Sequence, residues 1–493
     1  MIERPDLLLP ILITGLAPLF VYLFRKNINL REGASAVAGI ATFLYLLTFV
    51  PSVLAGKILI YPLFTILPGM EVKFCIDGLG IIFALVASFL WILATSYNIG
   101  YMRSLSEHAQ TRYYVCFAVA IFGAVGVALS ANVFTLYLFY EVISIFTYPL
   151  VAHHQDAEGY HGGRKYLVYL VGTSKLFLLP AMILTYVLCG TLDFNLNDIA
   201  KGIFPPSANP VLVQITYALF VMGLAKAAIM PFHNWLPSAM VAPTPVSALL
   251  HAVAVVKAGV FSVSRILLSV FGVETMSNLG LGMVTACFAG ATIILASVIA
   301  LTKDDLKARL AYSTVSQLSY VVLGVALLTP LSITGGIAHI AHHAFSKITL
   351  FFAAGAIYVV THQKKISLLS GVGRRMPWTF GAFAVASLSM IGIPPVCGFV
   401  SKWYMINGAV SMGYYIFMCT FLASTILNAS YFMPVIYKAF FDMPAPGVDL
   451  EHYKEAPAAM VIPLCLTAAI SVFLGLYPDT FMKFVNIFMT VKG

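Results

Sequence analysis

Four ionisable residues interrupt long apolar runs in this chain: Glu141, Lys226, Lys257 and Lys402. Lys226 lies five residues before Pro231, which opens a Pro-Phe-His-Asn-Trp-Leu-Pro segment ending at Pro237. Lys402 follows a second interruption, Pro394-Pro395. Proline removes a backbone donor and breaks a helix, and within lipid such a break survives only where protein or a wet cavity surrounds it. A charge at the bilayer centre costs about 2.5–3.5 kcal/mol on insertion scales. Charges placed beside breaks therefore point to a path for an ion. His339, His342, His343 and Lys347 add a stripe at i, i+3, i+4 and i+8, and His251 shares the run of Lys257. Residues three and four apart share a helix face, and histidine changes charge near neutral pH, so the stripe reads as a hydrated proton relay. A metal site is the rival reading, but the stripe brings no carboxylate or cysteine.

The bland alternatives are specific. A lysine near a span end reaches the interface with its head group; this is the alternative for Lys175 and Lys347, which are otherwise expected to join the proton relay. A carboxylate is too short for that, which leaves Glu141 buried. A structural ion pair is compatible with transport. At about 6 Å and an effective dielectric near 20, a Glu–Lys pair is worth roughly 3 kcal/mol, so moving the carboxylate away favours release of the lysine's proton.

The elements that must position these residues are membrane spans. The chain has 493 residues, 60% hydrophobic and only 10% charged, against about 25% charged in soluble domains. Runs long enough to cross a bilayer fall at 7–24, 35–54, 76–99, 113–130, 132–151, 166–189, 211–240, 246–271, 279–301, 310–329, 332–361, 379–405, 409–437 and 457–481. The predicted fold is an all-α integral membrane protein of about 14 transmembrane helices, discontinuous at 211–240 and 379–405, forming a single polytopic domain over 1–493. With the N-terminus outside, sixteen of the 28 lysines and arginines fall on inner loops, seven on the outer side and five within spans. The positive-inside rule then predicts both termini on the outer side of the cell inner (plasma) membrane. No cleavable signal peptide is expected. The breaks at Lys226 and Lys402 suggest two inverted five-helix repeats, 113–271 and 279–437, of the kind that carry a transport site near the midplane. The net charge of +9 is topogenic rather than a nucleic-acid footprint. Seven cysteines are scattered singly, with no zinc or iron–sulfur spacing, and no nucleotide-binding motif is present. No metal, redox cofactor or nucleic-acid partner is expected.

Several stretches carry a family resemblance. They are Leu138-Phe139-Tyr140-Glu141, the segment from Gly223 to Pro237, the segment from Ala242 to His251, the segment from Asp305 to Gln317, and Pro394-Pro395. The chain resembles the antiporter-like membrane subunits shared by respiratory complex I, membrane-bound hydrogenases and Mrp-type cation/proton antiporters. The resemblance implies that Glu141, Lys226, Lys257 and Lys402 are proton-transfer residues. It also implies a proton-translocating subunit of a multisubunit ion-pumping complex, partnered by other membrane subunits and the lipid bilayer, with Na⁺ a candidate coupled ion. Lysine at 402 matches the Mrp-D, L-type and N-type pattern rather than the glutamate of M-type subunits. Ser319 stands where glycine is usual, and Lys175 has no family role. Any enzymatic role would belong to a translocase complex, with no redox site in this chain. The rival functions are a stand-alone secondary transporter of a small solute or cation, and an inert membrane anchor.

Overall fold

In hydrocarbon a backbone must satisfy its own hydrogen bonds, which leaves helices as the spanning form for chains this apolar. The computed structural model describes residues 1–444 and 450–490; Lys492, counted above among the outer charges, lies outside them. Eleven helices among the described residues are long and apolar enough to cross a membrane. In chain order the crossing elements are α1 (Pro5–Leu23), α2 (Ile28–Leu54), α3 (Gly78–Ser104), α4 (Gln110–Ala128), α5 (Val133–Val151) and α6 (Ala157–Cys189). The broken α7 follows, with α7a (Pro210–Gly223) and the one-turn α7b (Trp235–Ser238). Next come α8 (Thr244–Asn278), α9 (Leu281–Leu301), α10 (Leu306–Ala326) and α11 (Pro330–Thr361). The second broken element is α12, with α12a (Pro377–Ile391) and α12b (Cys397–Ser411), before α13 (Tyr415–Phe441) and α14 (Ala458–Leu476). Counted this way, the described residues make the fourteen crossings that the apolar runs predict. A short amphipathic α15 (Asp479–Thr490) packs back on α3 and α11.

Polar residues just outside the apolar runs start many of these helices. Asn27, Asp77, Asn132, Asp156, Asn209, Asp305 and Thr329 each accept a backbone N–H of the first turn, which removes one of the orphan donors of a helix start. Asp305 starts α10 at Leu306, earlier than position 310 expected from hydrophobicity alone. One feature falls outside the all-helical expectation. Three short strands, β1 (Ile2–Glu3), β2 (Leu59–Leu67) and β3 (Met70–Ile76), form a small sheet, β1 parallel and β3 antiparallel to β2. Its hairpin turns at Pro68-Gly69, with Gly69 at φ 78°, and Lys73 ties it to Asp193 at 2.6 Å.

The centre of the bundle is α8, buried along its spanning length, and α11, a 32-residue helix without a break. Neither α6 nor α8 is regular. π-helical turns occupy Val168–Gly172 and Ser174–Leu178 in α6, and Leu249–Val253 and Ile266–Phe271 in α8.

Arg265, counted above with the outer charges, is buried in α8 because it has a partner there. Its Nη1 and Nη2 donate to Asp77 Oδ2 and Oδ1 at 2.6 and 2.7 Å, and both side chains are buried. Asp77 also caps α3 by accepting from the Gly80 N–H. Removing one partner of a buried pair strands the other charge and costs about 3–5 kcal/mol. Asparagine at 77 keeps the capping oxygen, removes the charge, and sets an NH₂ donor where the second oxygen accepted from Arg265. Asp77→Asn should therefore lower stability by about 3–5 kcal/mol, and adding Arg265→Met should recover most of the loss, read by chemical unfolding of the detergent-solubilised chain. Equal losses in the single and double variants would refute this account.

Candidate functional site

The first break is built around Lys226. After Gly223 the chain makes a single 3-10 turn, Ala225–Ala227, and Ala228 takes a left-handed conformation at φ 54°. The freed backbone groups find partners in protein. Trp235 Nε1 donates to the Ala225 carbonyl at 3.0 Å, and the Met230 N–H donates to Thr292 Oγ1 at 3.2 Å. Gly259 of α8 presses on this turn so closely that a Cβ there would stand 2.4 Å from the Ala227 nitrogen; only glycine permits the approach. Pro231 lies inside the break, whereas Pro237 sits within α7b, past the interruption it was expected to mark.

Lys226 is fully buried, and its Nζ donates to the Tyr140 carbonyl at 2.8 Å and to Ser144 Oγ at 2.6 Å. It also lies 3.1 Å from the centroid of the Tyr140 ring. The neighbouring Glu141 pairs elsewhere: its Oε2 is 3.2 Å from Lys175 Nζ, which also donates to Tyr137 Oη at 2.6 Å. Lys175, the lysine without a family role, is thus the ion partner of Glu141. Half of the Lys175 side chain is exposed at the perimeter, so interface-reaching and ion pairing coexist in one residue.

The second cluster draws on four helices. On α8, Lys257 Nζ hydrogen-bonds His343 Nδ1 of α11. His343 stacks on His339 one turn back, with ring centroids 5.9 Å apart. His339 Nδ1 meets Ser401 Oγ at 2.8 Å, and its Nε2 meets Gln317 Oε1 of α10 at 3.0 Å. Ser401 adjoins Lys402 on α12b. Lys402 Nζ donates to the Met390 and Ile391 carbonyls at 2.6 and 3.0 Å and lies 4.7 Å from the Tyr320 ring centroid. These carbonyls end α12a, where the helix dipole is negative and a cation is favoured. Gly392, at φ 94°, lets the chain turn there, and a Cβ would stand 2.7 Å from the Lys402 side chain. Pro394 and Pro395 form the loop between α12a and α12b.

The remaining members of the stripe are buried without such links. Among the described residues neither ring nitrogen of His342 or His251 finds a hydrogen-bond partner, nor does Lys347 Nζ. His251 stacks on Phe351 at 4.6 Å and lies in the Leu249–Val253 π turn. Among the described residues no side-chain hydrogen bond joins Lys226 to Lys257. The structure thus brings together Glu141 with Lys175, and Lys257 with Lys402 through two histidines, and leaves a gap between the two groups. Sequence reasoning missed Ser144, Tyr140, Gln317 and Ser401 as partners. A polar residue inside an apolar span was the available signal for Ser144, Gln317 and Ser401; a backbone carbonyl as lysine acceptor leaves none.

A cavity of about 710 Å³ opens on the face carrying the loops at 105–109, 152–156 and 362–365. Tyr101, Thr244 and Lys307 line it. Thr244 begins α8, seven residues before His251, which is about 10 Å along a helix.

Residues 130–428 match the family described as NADH:quinone oxidoreductase/Mrp antiporter, TM. NADH-quinone oxidoreductase subunit N of Desulforudis audaxviator (strain MP104C) is 32% identical over 431 residues, covering 84% of this chain and 83% of that protein. Na(+)/H(+) antiporter subunit A1 of Staphylococcus aureus (strain JH9) is 29% identical over 503 residues, and the match spans 96% of this chain but 60% of that longer protein. A chain in the Mrp complex from Dietzia sp. DQ12-45-1b shares the fold with a TM-score of 0.83 at 22% identity, over 98% of this chain and 96% of that one. A chain of the membrane-bound sulfane sulfur reductase, an archaeal respiratory membrane complex, superposes with a TM-score of 0.86 at 25% identity, over 99% and 97%. The matched residues take in both breaks and all four ionisable positions, and the chain belongs to the NADH:quinone oxidoreductase/Mrp antiporter transmembrane family.

Proposed function

We propose that this chain is the proton-translocating, antiporter-like subunit of a multisubunit membrane complex, and that protons move along the axis of Glu141, Lys226, Lys257, the α11 histidines and Lys402. One observation carries the reading. Lys257, His343, His339, Ser401 and Lys402 form a buried succession of ionisable and hydroxyl groups across α8, α11 and α12b. A succession of this kind moves a proton by exchange between neighbours, and among the described residues none of its lysines is fixed by a carboxylate. The buried groups without protein partners, His251, His342 and Lys347, are of the kind that ordered water satisfies, which suits a hydrated relay. Water entering the 710 Å³ cavity reaches Thr244 and so the start of α8.

The two repeats, 113–271 and 279–437, each place the broken helix fourth of five, α7 in the first and α12 in the second. Inverted copies with breaks at matching positions suit half-channels opening on opposite faces. The loop charges orient both termini to the outer side of the plasma membrane. The partners are other membrane subunits, as for the Mrp complex and the archaeal respiratory complex whose chains share this fold. Sodium is the candidate coupled ion, since a relative is named as a Na(+)/H(+) antiporter subunit.

Two variants test the axis in vesicles containing the assembled complex. Glu141→Gln keeps shape and removes charge. It should leave assembly intact and lower proton flux by at least about tenfold, equivalent to about 1.4 kcal/mol in barrier. Wild-type flux would remove Glu141 from the path. Lys402→Arg separates a carrier from a structural cation. Arginine can still donate to the Met390 and Ile391 carbonyls but does not release its proton in proteins. The variant should assemble and lose pumping, and pumping at the wild-type rate would make Lys402 a helix cap only.

A further inference from the structure

A cluster apart from the proton axis lies on the face into which the large cavity opens. Glu107 and His108 belong to the loop joining α3 to α4, and His154 to the loop joining α5 to α6. Their ligand-capable atoms all lie within 4.8 Å of one another. Glu107 Oε2 is 3.8 Å from His154 Nδ1 and 3.7 Å from His153 Nε2. The His108 ring centroid is 4.8 Å from that of His153 and 6.3 Å from that of His154. His153 is fully buried beside them, between the His108 backbone and the Glu107 carboxylate. A third, buried imidazole thus approaches the same carboxylate. At 3.7–3.8 Å these contacts are too long for hydrogen bonds. The groups converge without satisfying one another.

We propose that Glu107, His108 and His154 bind a divalent transition-metal ion of the zinc class at the rim of the cavity. Imidazole nitrogen and carboxylate oxygen are the ligands such ions take, and three protein ligands leave a fourth position for water. Zinc–ligand bonds of about 2.0–2.1 Å put tetrahedral ligand atoms about 3.3 Å apart. Closing from 4.8 Å asks for about 1.5 Å of movement on that geometry, and His108 and His154 are exposed turn residues free to swing that far. Magnesium, which demands near-ideal octahedral oxygen coordination, is excluded by the same donor set. Glu107 and His154 also line the cavity, so a bound cation stands at its mouth. That cation slows proton flux only if the cavity is the entrance for water and protons that the proposed function makes it.

The test uses the full-length chain, untagged by histidine and washed with chelator, titrated with Zn²⁺ by calorimetry and with Co²⁺ by visible absorption. The expected result is one zinc per chain and the intense ligand-field bands of four-coordinate cobalt. Loss of a supporting group alone costs metal sites about 10–100-fold in affinity, so His108→Ala and His154→Ala should each weaken Zn²⁺ binding by more than about tenfold. His161→Ala, which lines the same cavity outside the cluster, should leave binding unchanged. No zinc binding, or binding untouched by the His108→Ala/His154→Ala double variant, overturns the site. Because both histidines are exposed, unchanged thermal unfolding of the variants is expected and checks that binding alone is read. Inhibition of flux by zinc in the wild type but not in the double variant supports both site and entrance. Binding without inhibition supports the site and removes the cavity from the proton route.

Discussion

Buried lysines held by neutral acceptors set the terms for everything else in this molecule. Lys226 leans on a backbone carbonyl, a serine and a tyrosine face; Lys257 on a histidine; Lys402 on two carbonyls and a tyrosine face. Among the described residues none of the three has a carboxylate within hydrogen-bonding reach. Dipoles of this sort soften the desolvation of a cation without cancelling it, so each lysine remains a costly cation in its place. The carbonyl acceptors at Lys402 become available because α12 is interrupted. The break is therefore the source of the cation's ligands as well as a kink in the rod.

The contrast within the same chain is Arg265 with Asp77. There the cation is an arginine, the anion is fixed by two short hydrogen bonds and a helix cap, and three phenylalanine rings close around the guanidinium. That pair staples α8 to the start of α3 and has no reason to exchange protons. Lys175 with Glu141 sits between the two extremes, an ion pair with one member half exposed.

The spans, the two breaks and the buried lysines were legible in the sequence because each is a local statement: an apolar run, a proline, a charge out of place. Partner choice was not. The lysines of the axis are the partners that the sequence suggests for Glu141, yet it takes Lys175, which lies in a π turn of α6 that no periodicity announces. Asp77 and Arg265 look like an acid at the start of one span and a base near the end of another until the fold joins them. The sheet was hidden because β2 and β3 are short, aromatic and β-branched runs lying between spans whose hydrophobicity dominates any reading. Pro237 failed as a break marker for a simpler reason: early in a helical turn the proline's missing donor has no partner to lose.

The π turn at Leu249–Val253 has a consequence for phase. Such a turn takes up one extra residue inside an α-helix and leaves the downstream residues at their places around the axis. In a regular helix, which advances about 100° per residue, losing one residue before Lys257 would swing that lysine about 100° around α8 and away from the α11 histidines. Here the same loss within the π turn can be absorbed by reversion to an ordinary turn, with Lys257 still facing His343. The irregularity thus uncouples the angular setting of the lysine from the residue count ahead of it, and gives the stretch holding His251 latitude to change shape without unplugging the link between α8 and α11.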